Sequence, residues 1–304
     1  MLPLKSNLSV LFIISIIACS SEAVDYNSNI QYLSADGQAE FIQFEADSVM
    51  LKLPWLEHYK AENSLINRIS SPDGYKRIVL ADSTFGWWLR RLPLLEGKPD
   101  VLLYNGQKKG YQGAHYTILD IDVGKKDLQQ CADAVMRLRA EYLRWHNKED
   151  MISFNYTSGD KIKYSEWKKG GRPVVRGNKV TWAYNNSFDA SYQNFRKYLD
   201  NVFMYAGSLS LSKELKNVDF ANILPGDVFI QGGSPGHAVI VMDVAVNTKG
   251  EKVFMLAQSY MPAQQIHILA NPNKSNTCWY TYLECRQLIE TPEWMFAPTD
   301  LKQF

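Results

Sequence analysis

The 304-residue chain lacks the features that would assign it to several large classes of protein. It has no excess of one charge, because 33 basic and 32 acidic residues leave a formal net charge of +1. It also has no basic block that would follow a phosphate backbone, so we expect no nucleic-acid partner. There is no internal repeat and no low-complexity tract, and nothing after the first 18 residues is apolar for long enough to cross a bilayer.

The first residues predict the compartment. A short start carrying Lys5 precedes an apolar run over residues 8–18, and Cys19 follows. This pattern resembles the signal of bacterial lipoproteins, in which cleavage before the cysteine leaves its thiol to be diacylated. We therefore expect residues 1–18 to be a signal peptide, 19–29 to be a stalk, and the exported protein to be anchored to the membrane of the bacterial cell envelope through Cys19. The alternative is an ordinary secretory signal with a chance cysteine.

Cysteine is scarce, with Cys19, Cys131, Cys278 and Cys285 the only four. If Cys19 is lipidated, three thiols remain, so the cysteines of an exported chain cannot all be paired with one another. Cys278 and Cys285, seven residues apart, either bridge a hairpin or stay reduced. Cys131 is left over, and an unpaired thiol in an oxidising compartment invites a functional explanation.

The most informative stretch runs from Gly226 to Gln264. It predicts a short buried strand before the loop Gly-Gly-Ser-Pro-Gly, a second strand that His237 opens, and a third over residues 253–257 that ends in Gln258. The second strand is too continuously apolar to have one solvated face. If these strands pair antiparallel, His237 and Gln258 lie near the same end of the sheet.

A helix is predicted from Asp127 to Trp145, with an apolar stripe at 3.6-residue spacing and a capping box formed by Asp127 and Gln130. Cys131 would then lie in the first turn, where unpaired N–H groups and the helix dipole stabilise a thiolate. Cys131 also falls on the apolar stripe, so the alternative is a buried cysteine that packs as a small hydrophobe.

These elements predict one α+β domain over residues 30–304, of which 30–125 is an elaboration. Its centre would be a largely antiparallel sheet of about five to seven strands, packed on the helix that carries Cys131. The 46% content of hydrophobic residues is enough for one large core.

The order Cys131, His237, Gln258 is typical of papain-like thiol hydrolases, in which a cysteine opens a helix and a histidine opens a strand. The imidazole would activate the thiol, and Gln258 would hold the ring without the charge that a carboxylate supplies. Residues 225–262, PGDVFIQGGSPGHAVIVMDV and FMLAQSYMP, resemble the strand block of NlpC-like cell-wall peptidases and amidases. That resemblance implies a papain-like fold and a Cys-His-polar triad. One departure is Gln130, which precedes Cys131 where those enzymes usually carry Asp or Asn.

A second resemblance covers about residues 74–304. The phrases LLYNGQKKG, LDIDVGKKDLQQCADAVMRLRAEYL, QGGSPGHAVIVMDVA, LAQSYMPAQQIHIL and the closing TPEW resemble those of an uncharacterised family of exported bacterial lipoproteins. The likeness implies an exported lipoprotein and carries no function.

Other residues complete the hypotheses. The candidate substrate-binding residues are Arg172 and Tyr260. Arg172 lies in a Gly-rich loop, and the alternative for it is a charged side chain exposed to solvent. His115, Asp120 and Asp122 could be considered as metal ligands, but His115 and Asp122 point to opposite faces of one strand, so we predict no metal and no cofactor.

The leading hypothesis is a lipid-anchored thiol hydrolase acting on peptidoglycan peptides. The alternatives are a non-catalytic module that binds a cell-wall peptide or glycan, and a structural partner in an envelope complex.

Overall fold

The computed structural model describes residues 47–304, which lie within one compact unit spanning residues 42–304. The predicted signal peptide, the Cys19 lipidation site and the stalk lie outside the described residues. No helix within residues 47–304 has the length and apolar character needed to cross a bilayer.

The described part of the chain contains six α-helices and fifteen strands. The helices are α1 Leu65–Arg68, α2 Phe85–Leu89, α3 Cys131–Trp145, α4 Tyr164–Lys168, α5 Tyr192–Tyr205 and α6 Ser208–Glu214. The strands are β1 Tyr75–Arg77, β2 His115–Ile118, β3 Ser153–Asn155, β4 Lys161–Lys163, β5 Gly171–Arg176, β6 Lys179–Tyr184, β7 Lys216–Asn217, β8 Val228–Gln231, β9 His237–Asn247, β10 Lys252–Gln258, β11 His267–Leu269, β12 Trp279–Thr281, β13 Ile289–Glu290, β14 Met295–Phe296 and β15 Leu301–Gln303.

Nine of these strands form one antiparallel sheet. Its main order is β2-β11-β10-β9-β8-β15-β7, with β1 paired to β9 and β12 paired to β10. The predicted α+β class with a large antiparallel sheet is confirmed, although the predicted count of five to seven strands is too low. The additional strands are two to four residues long, which is too short for an alternating pattern to show in the sequence.

The long strand β9 is buried on both faces. Ala238, Ile240 and Met242 belong to a core shared with α2, α3 and α5. Val239 and Val241 face a second, smaller core shared with residues near the C-terminus of the chain. This explains why β9 is apolar at nearly every position, since alternation disappears when neither face meets water.

Helix α3 begins later than the sequence predicts. Cys131 is its first residue and Gln130 is its N-cap, whose backbone N–H donates to the Asp133 carboxylate at 3.0 Å. Asp127 does not cap the helix. Its carboxylate instead accepts from the backbone N–H of Ala263 at 2.7 Å and from the Gln130 amide at 3.2 Å. The predicted Asp127–Gln130 capping box is therefore wrong, because the Asp127 carboxylate binds the loop after β10 instead of the helix N-terminus.

A buried charge cluster fixes the middle of β9. The Asp243 carboxylate is fully buried and accepts from Nε of Arg77 and from Nε of Arg90, each at 2.5 Å. It also accepts the backbone N–H of Val244 at 2.8 Å. Two guanidinium groups on different segments are thus held to one strand by one carboxylate.

Asp243→Asn should lower the free energy of unfolding by about 3 to 5 kcal/mol, because it leaves two arginines without their buried counter-charge. The control is Asp100→Asn, which removes an exposed pair with Lys108 and should cost far less, because water screens that pair. Urea unfolding of both variants measures the difference. Equal losses would contradict the assignment of this cluster as a structural anchor.

Candidate functional site

Strands β9 and β10 bring two of the predicted site residues together. They pair antiparallel, with Ala257 opposite Ile240, and so place His237 and Gln258 at the same end of the sheet. Both side chains are buried, at 2% and 1% exposure. His237 Nε2 lies 2.8 Å from Gln258 Oε1, so the imidazole and the amide meet at one end of the sheet, as expected if the two strands pair antiparallel.

Cys131 lies at the same place, at the N-terminal end of α3. The backbone N–H groups of Ala238, the residue after His237, of Ala132 and of Cys131 itself lie near enough to the Cys131 thiol to lower its pKa. Cys131 is a free cysteine. The residue as a whole keeps partial exposure, while its thiol is packed within the protein. The structure therefore brings the thiol next to the first residues of β9.

Burial opposes ionisation of this thiol. A helix N-terminus alone predicts a lowered pKa, yet burial, together with the charge of Asp133, raises the pKa of Cys131 to about 11 in spite of the three backbone N–H groups. Burial also lowers the pKa of His237 to about 4, against the opposing effect of its hydrogen bond to Gln258. At neutral pH the folded protein therefore holds both the Cys131 thiol and the His237 imidazole in their neutral forms.

Aromatic rings enclose the His237 ring. Tyr260 lies 4.8 Å from it, Trp294 5.3 Å and Phe296 5.9 Å, measured between ring centroids. Trp294 is fixed by a hydrogen bond of 2.9 Å from its Nε1 to Gln231 Oε1. The C-terminal segment of the chain thus covers the imidazole and limits the access of water to it.

Tyr260 lies at the site, with its ring 4.8 Å from that of His237, and its role in binding a substrate stays a prediction. Burial raises the pKa of the Tyr260 phenol, and the charges of Glu293 and Cys131 raise it further. Its half-buried ring therefore lies among the polar side chains of the site, where it could contact a bound ligand.

Arg172 is not brought to this site. It lies on β5, in a separate two-stranded sheet with β6. Its guanidinium packs over the Trp167 ring at 4.1 Å and donates to Asn194 Oδ1 at 3.1 Å. Since these partners belong to α4 and α5, a role for Arg172 beside Cys131 has no support in the geometry.

A polar network extends from Gln258 away from the thiol. The Gln258 amide nitrogen donates to Glu293 Oε2 at 2.7 Å and lies 3.4 Å from Nε2 of His267. Glu293 in turn forms an ion pair with Lys109. No pattern in the sequence singles out the other residues of this part of the site, which are Glu293, His267, Lys109 and Trp294. The exception is His267, which a hairpin centred near Pro262 places opposite Gln258.

Among residues 47–304, no group of three or more His, Cys, Asp or Glu side chains is placed to hold a metal ion. A cavity of about 850 Å³ lies elsewhere, between residues 50–59 and the C-terminal half of α3, with Glu141, Trp145 and Tyr192 in its wall. Cys131, His237 and Gln258 do not line it. The thiol site is formed by strand ends and loops.

The fold and the site define a protein with a large antiparallel sheet and a cysteine–histidine–glutamine cluster at one end of it. Residues 65–303 match the family model described as Domain of unknown function (4846), and the chain belongs to that family. No curated protein and no solved structure matches the chain.

Burial of His267 makes the stability of the folded protein depend on pH. Burial lowers the pKa of His267 to about 3 from the ordinary 6.5, so between these values the unfolded chain binds a proton that the folded protein does not. Stability from this group is complete above about pH 6.5 and is lost as the pH falls toward 3. Relative to His267→Gln, the unfolding free energy of the native protein should fall by about 1.4 kcal/mol per pH unit between pH 6 and 4.

Urea unfolding at a series of pH values measures this slope. The exposed His58 supplies the control, because His58→Gln should run parallel to the native protein. A His267→Gln curve parallel to the native one would show that His267 titrates normally in the fold.

Proposed function

We propose that the protein is a thiol hydrolase that cleaves an amide bond through Cys131, His237 and Gln258, in a papain-like arrangement. The observation that carries the proposal is the 2.8 Å contact between His237 Nε2 and Gln258 Oε1. The next residue on the same strand, Ala238, has its backbone N–H near the Cys131 sulfur, where it favours the thiolate. A cysteine that opens a helix, followed by a histidine that opens a strand and a polar residue on the neighbouring strand, is the order such hydrolases use.

The hydrogen bonds support a role for His237 as the base. An amide oxygen only accepts, so the proton of the neutral ring is on Nε2, and Nδ1 keeps its lone pair. In the proposed reaction Nδ1 takes the proton of the Cys131 thiol as the sulfur attacks the carbonyl carbon. The proton then passes to the leaving amine, and a thioester remains on Cys131.

Hydrolysis completes the cycle. A water molecule gives a proton to His237 and attacks the thioester, and the thiolate released from the thioester regains the proton, so the products are a carboxylic acid and an amine. The N–H groups of the first turn of α3 have no intrahelical acceptor and are suited to stabilise the oxyanion. Because both groups are neutral at rest, proton transfer accompanies the attack and does not precede it.

The substrate class follows from the expected location. If the N-terminal residues are a lipoprotein signal, the protein works in the bacterial cell envelope, where peptidoglycan peptides are the abundant amide substrates. Tyr260 and Trp294 lie around the imidazole, and aromatic rings of this kind are suited to pack against a peptide or a sugar. We therefore propose an envelope lipoprotein that acts on cell-wall peptides.

One observation favours a second function, a module that binds the same ligand without cleaving it. Burial raises the pKa of Cys131 to about 11, and a thiol that stays protonated is a weak nucleophile unless a base acts on it. The two functions differ in one respect only, since a binding module retains its ligand unchanged and a hydrolase releases a new amine.

Cys131→Ala should abolish release of new amino groups from purified peptidoglycan, and His237→Ala should lower the rate by about 10²- to 10⁴-fold, the contribution of a general base. The matched control is Cys285→Ala, which removes another free cysteine, one that lies in the second core. Fluorescamine detection of released amines measures the rate. Release that persists in Cys131→Ala would refute the proposed nucleophile, and binding without any release by the native protein would establish the binding module.

A further inference from the structure

We infer that Glu293 is a positioning residue that sets the tautomer of His237 by fixing the direction of the Gln258 amide. The importance of this tautomer for catalysis rests on the proposed function. The inference itself stands on the hydrogen bonds that two residues outside the proposed triad, Glu293 and His267, make with Gln258.

The direction of the Gln258 amide is determined by its acceptors. Glu293 Oε2 lies 2.7 Å from Gln258 Nε2, and a carboxylate only accepts, so the amide nitrogen must face Glu293. The other hydrogen of that nitrogen meets His267 Nε2 at 3.4 Å. His267 Nδ1 lies 2.9 Å from the backbone oxygen of Gln265 and therefore carries its proton, which leaves Nε2 of His267 as an acceptor.

With the nitrogen directed to Glu293 and His267, the amide oxygen is directed to His237. That oxygen accepts from His237 Nε2 at 2.8 Å, so His237 is protonated at Nε2 and has a free lone pair at Nδ1. Reversing the amide would present an N–H₂ to Nε2 and move the proton of the neutral ring to Nδ1. The same side chains would then hold a ring whose Nδ1 has no lone pair to accept a thiol proton.

Lys109 makes the arrangement asymmetric. Its ammonium, 7% exposed, pairs with Glu293 Oε1, the oxygen that Gln258 does not use. It also donates to the backbone oxygen of Tyr111 at 3.1 Å. The carboxylate thus accepts from both sides, from the ammonium at one oxygen and from the amide at the other.

The ion pair predicts what Glu293→Gln does. A glutamine at this position has one oxygen, and the charged Lys109 competes for it more strongly than a neutral amide can. Its N–H₂ would then face Gln258, which must turn its own oxygen toward position 293 and its nitrogen toward His237. The contact from Gln258 to His267 opposes this reversal, but at 3.4 Å it is the weakest hydrogen bond in the network.

The experiment is a measurement of the His237 tautomer by two-bond ¹H–¹⁵N correlation spectra of the intact chain labelled with ¹⁵N-histidine, with the signals of His237 assigned by their loss in His237→Gln. The native protein should show Nε2 protonated. Glu293→Gln should show Nδ1 protonated, and Lys109→Met/Glu293→Gln should return to the native pattern, because the oxygen at position 293 is then free to face Gln258. The control is Glu290→Gln, an exposed carboxylate three residues away, which should change nothing.

Alkylation of Cys131 by iodoacetamide at pH 7 supplies the second readout. Its rate should fall about 10²-fold in Glu293→Gln, the smaller contribution expected of a general base, and should recover in the double variant. Recovery on removal of a second residue is not expected of a role in stability alone. A Glu293→Gln protein with the native tautomer, or with the reversed tautomer and an unchanged alkylation rate, would overturn the inference.

The experiments distinguish a failure of the proposed function from a failure of this inference. Native spectra with Nε2 protonated, reversed in Glu293→Gln, together with a native protein that releases no amine, would refute the hydrolase and leave the control of the tautomer in place. If Glu293→Gln does not fold, Gln258→Met removes the amide itself and should give a mixture of His237 tautomers. A single Nε2-protonated form in that variant would overturn the inference.

Discussion

The hydrogen bond between His237 and Gln258 is the interaction on which the site depends, and the register of two strands produces it. Because β9 and β10 run antiparallel, the first residue of one and the last residue of the other meet at one end of the sheet. Burial of β9 on both faces fixes that register, since a slip by one residue would exchange the residues in its two cores. The core of the protein therefore determines the geometry of the imidazole, and α3 brings Cys131 to it.

The strand block and the site residues on it could be predicted because their signals are local. The apolar run of β9, the loop before His237 and the position of Gln258 after the next strand are sufficient to place these two side chains together. The remainder of the site depends on contacts between distant segments. Glu293 and Lys109 are 184 residues apart in the chain yet form an ion pair, and no periodicity in either segment indicates it. The start of α3 was misplaced for the same reason, because Asp127 bonds to the loop after β10.

Burial affects the proposed chemistry in two ways. It raises the pKa of Cys131 and lowers that of His237, so the pair rests in its neutral form. It also strengthens the hydrogen bonds that hold Gln258 and His237, since these no longer compete with water. The Cys131 thiol is therefore weakly acidic, and in the proposed reaction its reactivity depends on the base that His237 supplies. This differs from a thiolate that is stabilised by the helix N-terminus alone, which the sequence favoured.

We propose that Cys131 acts as a nucleophile with His237 as its base, and detection of the covalent intermediate tests this role directly. The protein is mixed with soluble peptidoglycan peptides and quenched in acid after a single turnover, and peptide mapping by mass spectrometry locates any acyl group. We predict a thioester on Cys131 that is absent from His237→Ala. No acyl adduct on Cys131 under conditions in which the peptide binds, or an adduct of equal yield on Cys278 or Cys285, would contradict the account.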